Sequence, residues 1–92
     1  MEGTKYVWRK SPVEDDCAAL FDGATKVCAV LKDGRSWYLR PYIFGNMFIQ
    51  LDVDSDSIDG AKRAALQYLH EECNRGGTKQ HLDIKARLPE LK

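Results

Sequence analysis

The chain has 92 residues, 43% hydrophobic and 30% charged, the balance of one globular domain and not of a disordered segment. Fourteen Lys and Arg offset fourteen Asp and Glu, with the signs mixed along the chain: residues 1–50 hold 7 basic and 6 acidic groups, residues 51–92 hold 7 and 8. Phosphate neutralisation supplies most of the affinity of a dedicated nucleic-acid binder, so this balance disfavours that class.

Cys17, Cys28 and Cys73 are an odd number without a CxxC pair, unlike a secreted disulfide framework. No apolar signal core follows Met1, and no run approaches the roughly 18 apolar residues of a membrane span. The expected location is a reducing cytoplasm.

Thr4–Lys10 reads as a first strand, with Tyr6, Trp8 and Lys10 on one face and Lys5, Val7 and Arg9 on the other. Two readings compete over the next segment. Ser11-Pro12-Val13-Glu14 is a good helix start with a capping box, and Val13, Cys17, Leu20 and Phe21 would share one helical face. Alternatively, Asp22-Gly23 turns a hairpin between Cys17–Phe21 and Ala24–Val30. A second Asp-Gly pair 11 residues later suggests a meander and favours the hairpin.

Strand runs Thr25–Leu31 and Ser36–Phe44 flank the turn Lys32-Asp33-Gly34-Arg35, where Asp33-Gly34 suits a type I′ turn. Trp37, Leu39 and Pro41 alternate with Tyr38, Arg40 and Tyr42. Pro41 cannot donate a ladder hydrogen bond and marks an edge, a bulge or a bend. Gly45-Asn46 turns into a third run, Asn46–Val53. A helix from Ser57 to about Asn74 follows, with Ser57 as N-cap, Asp59 at the positive dipole end and Gly76 as its stop. Ile58, Ala61, Ala65, Tyr68, Leu69 and Cys73 fall on one helical face with Leu66 at its border; Arg63, Gln67, His70 and Glu71 lie opposite. Leu82, Ile84, Ala86 and Leu88 then alternate with polar residues up to Pro89, a strand pattern that could complete the sheet or pair with another chain.

The residues that could carry chemistry fall short of complete sites. Asp52-Val53-Asp54-Ser55-Asp56 opens like a calcium loop, but Ser57 replaces the turn Gly and Arg63 the closing bidentate Glu. His70, His81 and the cysteines match no common zinc spacing. No phosphate loop or oriented nucleophile–base pair is evident, so a non-enzymatic protein without cofactor or metal is expected. The best surface candidate is the aromatic and basic set Trp8, Arg9, Trp37, Tyr38, Arg40 and Tyr42, since aromatics beside Arg can form protein hot spots or stack bases. Tyr38, Arg40 and Tyr42 are its exposed part if the helix covers Trp37 and Leu39.

Ser57-Ile58-Asp59-Gly60-Ala61-Lys62-Arg63-Ala64-Ala65 resembles the S-x-x-x-A-K-x-x-A-A start of the last helix of double-stranded RNA-binding domains. A helix over Pro12–Phe21 would extend that likeness to an α-β-β-β-α order. The family's phosphate-gripping lysines correspond to Ile58 and Asp59 here, and only Lys62 carries over. From Trp8 to Leu69, the short meander followed by a Ser-x-x-x-Ala-Lys helix also resembles small orphan proteins of phages and prophages. That likeness implies a binding protein acting in the host cytoplasm on a bacterial protein or ribonucleoprotein complex, such as an anti-CRISPR or other anti-defence inhibitor.

The expectation is therefore an α+β domain over 1–77, with an antiparallel sheet of four to five strands on one principal helix. Residues 78–92 would form a tail, serving as an edge or exchanged strand. The binding candidates are Tyr38, Arg40 and Tyr42 with the acidic Asp52, Asp54, Asp56 and Asp59, which could imitate phosphate spacing toward a basic groove. Alternatives are nucleic-acid binding through Arg9, Arg35, Arg40 and neighbouring aromatics, and a homodimer through Leu82, Ile84, Ala86 and Leu88.

Overall fold

A computed structural model describes residues 5–10, 16–45, 48–53 and 57–89. Strands β1 (Val7–Lys10), β2 (Cys17–Asp22), β3 (Thr25–Asp33), β4 (Ser36–Arg40) and β5 (Ile49–Leu51) form an antiparallel meander in the order β1-β2-β3-β4-β5. Helix α1 (Ile58–Gly76) covers one face of this sheet, and a second helix, α2 (Lys79–Arg87), follows. The protein is an α+β fold with five strands.

Both tight turns rest on one glycine each. Asp22 pairs with Thr25 and Asp33 with Ser36, leaving the two-residue loops Gly23-Ala24 and Gly34-Arg35. Gly23 has φ of +61° and Gly34 of +67°, while no other residue type among the described ones has positive φ. Gly in the first central position alone is the pattern of type II′ and not the expected type I′. Residues Cys17–Asp22 form the hairpin strand, so the helical reading fails over them. The helix-first order of the RNA-binding likeness does not run through these residues, while 11–15 lie outside the described ones.

Pro41 ends β4 at Arg40. Tyr42–Phe44 form a 3-10 turn, closed by the Phe44 N–H donating to the Pro41 carbonyl at 2.9 Å. The third run is shorter than its pattern, at Ile49–Leu51.

The core lies between the sheet and α1. Leu20, Cys28, Val30, Trp37, Leu39 and Leu51 from the strands meet Ala61, Ala65, Leu66, Leu69 and Cys73 from the helix. Ala61 and Ala65 are fully buried, as is Trp37 at 1% exposure, and the small alanine side chains let the α1 backbone lie close to the strands. Ser57 caps α1 by accepting from the Gly60 N–H at 3.3 Å. At the other end the left-handed residue is Gly77, not Gly76, and its N–H donates to the Cys73 carbonyl at 3.1 Å.

The tail is a helix where a strand was expected. Gly77 turns the chain, the Thr78 side chain accepts from the His81 N–H, and α2 runs back along α1. A Cβ on Gly76 would clash with the His81 ring, which stacks on Phe44 at 5.6 Å. Alternation does not describe the result: Ile84 and Leu88, one helical turn apart, are buried in the chain's own core, while Leu82 and Ala86 are exposed. The four residues share no face, and within this chain they form no edge strand. The end of α2 fastens instead to the segment that leads into β1. The Tyr6 N–H donates to the Arg87 carbonyl at 2.8 Å, and Lys5 Nζ donates to the carbonyls of Ala86 and Leu88. Arg87 forms an ion pair with Asp22 and lies over the Tyr6 ring. His70, expected to face outward, is half-buried with Nε2 at 3.3 Å from the Pro89 carbonyl.

Candidate binding face

Antiparallel pairing sorts the strand residues into rows that cross the sheet. On the helix side run Trp8–Leu20–Cys28, Lys10–Ala18–Val30–Leu39–Ile49 and Lys32–Trp37–Leu51. On the opposite side run Val7–Phe21–Lys26, Arg9–Ala19–Ala29–Arg40 and Cys17–Leu31–Tyr38–Gln50. Leu20 pairs with Cys28 but Phe21 with Lys26, so Val27 is an inserted bulge residue, which sharpens the local twist. Neither helix packs on the second side among the described residues, and its rows carry aromatics and cations.

Side chains on this open face lean on one another. Arg9 lies over the Phe21 ring at 5.0 Å. Arg40 is 5.1 Å from the Tyr42 ring and 5.0 Å from the Phe48 ring, and Lys26 is 5.9 Å from Tyr42. Tyr42 is 39% and Phe48 60% exposed. Between the two arginines the small Ala19 and Ala29 leave a hollow of about 290 Å³, bounded by Arg9, Lys10, Cys17, Phe21 and Lys26.

The expected site residues fall into two places. Tyr38, Arg40 and Tyr42 are on the open face or at its border, with Trp37 and Leu39 buried behind them. Asp52 is exposed beyond β5, where it lines a depression of about 410 Å³ with Arg35, Ser36 and Gln50. Asp59 is exposed in the first turn of α1; Asp54 and Asp56 lie outside the described residues. The sequence reading missed Phe21, Lys26, Phe48 and the Ala19–Ala29 pair. Phe21 carries a signal in hindsight, since it shares the parity of Cys17 and Ala19, but only the β1–β2 register sets it beside Arg9.

The buried thiols are poor reagents. Burial pushes the Cys28 thiol up to about 12 against a weaker opposing hydrogen bond with the Leu20 backbone. Burial also raises Cys73, with Lys85 pulling the other way. Both stay protonated near neutrality, and the thiol is neither the nucleophile nor the metal ligand that a thiolate is. Among the described residues, no group of three or more His, Cys, Asp and Glu is placed to hold a metal ion, and no helix is long and apolar enough to cross a membrane. Comparison with protein-family models, with curated proteins and with solved structures finds no significant match.

Proposed function

We propose that the chain is a non-catalytic binding module that docks a protein on its open sheet face. In the manner of the phage proteins it resembles, it would occlude a bacterial host or defence complex. The observation that carries this reading is the Arg9–Ala19–Ala29–Arg40 row, with Phe21, Tyr38, Tyr42 and Phe48 around it. Arg and aromatic residues dominate protein hot spots because they combine apolar area with directed hydrogen bonds at small entropic cost. A guanidinium held against rings is partly pre-ordered for a partner's carboxylate.

Single-stranded nucleic acid is the second reading, since aromatics and cations on a sheet can also stack bases. It is the weaker one. Arg9, Arg40 and Lys26 already lie over the rings on which bases would stack, and zero net charge supplies little counterion release.

Affinity capture from a bacterial lysate with the wild-type chain and with Arg40→Asp tests the proposal. A protein retained by the wild type and lost with Arg40→Asp is the expected result. Tight oligonucleotide binding that falls steeply between two salt concentrations would replace it with the nucleic-acid reading.

A further inference from the structure

We infer that the hollow over Ala19 and Ala29 is an anchor pocket for an extended acidic segment of the partner, one that places an apolar side chain between two carboxylates. The inference rests on the protein-docking reading and names the chemistry of the occupant.

The size of the hollow suits a side chain. At about 290 Å³ it falls just below the ~300–1,000 Å³ of clefts that enclose whole small molecules. Its floor is apolar because Ala19 and Ala29 face each other across β2 and β3, and Phe21 forms a wall. An inserted apolar group would bury against methyl groups without stranding a polar atom.

Among the described residues the rim has one sign of charge. Arg9 and Lys26 line the hollow from this face, Lys10 borders it from the row of Ala18 on the other side, and no acidic residue lines it among the described ones. Arg40 ends the same cross-strand row on the far side. Arg9 and Arg40 are three strand spacings apart, or about 14 Å at the usual ~4.8 Å separation. An extended segment advances ~3.4 Å per residue with alternate side chains on one side, so its residues i−2 and i+2 are also about 14 Å apart. A segment crossing the strands can therefore set residue i in the hollow and a carboxylate against each arginine. The matching pattern is acid-x-apolar-x-acid, and the complementary charges would guide its orientation.

Backbone NMR on the ¹⁵N-labelled full chain tests this with synthetic pentapeptides, blocked at both ends. The probe is Glu-Thr-Phe-Thr-Glu. Its controls are Glu-Glu-Phe-Thr-Thr (same composition, acids on one side), Glu-Thr-Ala-Thr-Glu and Lys-Thr-Phe-Thr-Lys. The probe should shift the amides of Arg9, Ala19, Lys26, Ala29 and Arg40, and each control should bind at least five-fold more weakly. Ala29→Leu fills the hollow and should abolish the shifts; the exposed Lys26→Glu should weaken them several-fold and keeps the test decisive if Ala29→Leu does not fold. Equal binding of the probe and its rearranged control, shifts away from the row, or no shifts at millimolar probe would overturn the inference. Stronger perturbation of the same amides by oligothymidylate would do so too. If the peptides fail while lysate capture still depends on Arg40, only the anchor assignment falls; if capture is also insensitive to Arg40→Asp, the docking reading falls with it.

Discussion

Ala19 and Ala29 stand directly opposite each other across the β2–β3 ladder, and the same row ends in Arg9 on one side and Arg40 on the other. Two methyl groups at the middle of a five-stranded sheet leave a recess that a Val or Leu pair would fill. The two alanines are 8% and 7% exposed, although neither helix packs on their side of the sheet among the described residues. The flanking arginines are held sideways, over Phe21 on one flank and over Tyr42 and Phe48 on the other.

Residues of this face should be nearly dispensable for folding. Arg9→Ala removes one cation–π contact and Arg40→Ala two, each worth about 0.5–1 kcal/mol at exposed sites. Urea unfolding should show Arg9→Ala within about 1 kcal/mol of the wild type and Arg40→Ala within about 2 kcal/mol. A loss above about 2 kcal/mol would place that arginine in the structural framework instead.

The helical tail makes Leu88 and Leu82 unequal. Leu88 is 1% exposed and packs in the core, whereas Leu82 is 57% exposed. Leu88→Ala should cost about 2–5 kcal/mol by loss of burial and a residual cavity. Leu82→Ala should stay within about 0.5 kcal/mol. Equal costs in thermal or urea melts would contradict the α2 packing.

Arg87 and Asp22 link α2 to the β2–β3 turn, but the Asp22 side chain is 42% exposed. Water screens such a pair, so the coupling in an Arg87→Ala, Asp22→Ala double-mutant cycle should be below about 1 kcal/mol and shrink in salt. Arg87→Ala alone should cost more than this coupling, because Arg87 also covers the Tyr6 ring at 4.7 Å. Hydrogen exchange at the Tyr6 amide, which donates to the Arg87 carbonyl, should quicken in that variant.

Alkaline pH should unfold the protein through Cys28. Its thiol ionises near 9 as an ordinary group and is held up to about 12 by burial, so above pH 9 the unfolded state releases a proton that the folded state keeps. Stability from this group is complete below pH 9 and is lost between pH 9 and 12, at roughly 1.4 kcal/mol per pH unit. Burial raises Tyr6 and Cys73 as well, adding loss of the same sign. Denaturant midpoints across pH 8–10.5 should fall for the wild type and fall less steeply for Cys28→Ala, whatever the cost of that substitution at neutral pH.

Local patterns made much of the fold legible. Ser57 and the Ala61, Ala65, Leu69 and Cys73 spacing specify α1, Gly23 and Gly34 specify two hairpins, and Pro41 ends β4, because capping, helical period and turn geometry are settled within a few residues. Alternation also placed Tyr38 and Arg40 opposite the buried Trp37 and Leu39. Leu82, Ile84, Ala86 and Leu88 satisfy a strand period of two, yet in a helix they split into two pairs four residues apart, Leu82 with Ala86 and, on the other side, Ile84 with Leu88. Packing against the core, with the backbone tied to Lys5 and Tyr6, selects the helix by burying Ile84 and Leu88. The binding face needed the register. Arg9, Ala19, Ala29 and Arg40 are spread over four strands, and only the ladder pairing draws them into one row. Periodicity tells which side of its own strand a residue takes, but neighbours across a sheet depend on long-range hydrogen bonds and on packing against α1, and these exist only in the folded chain.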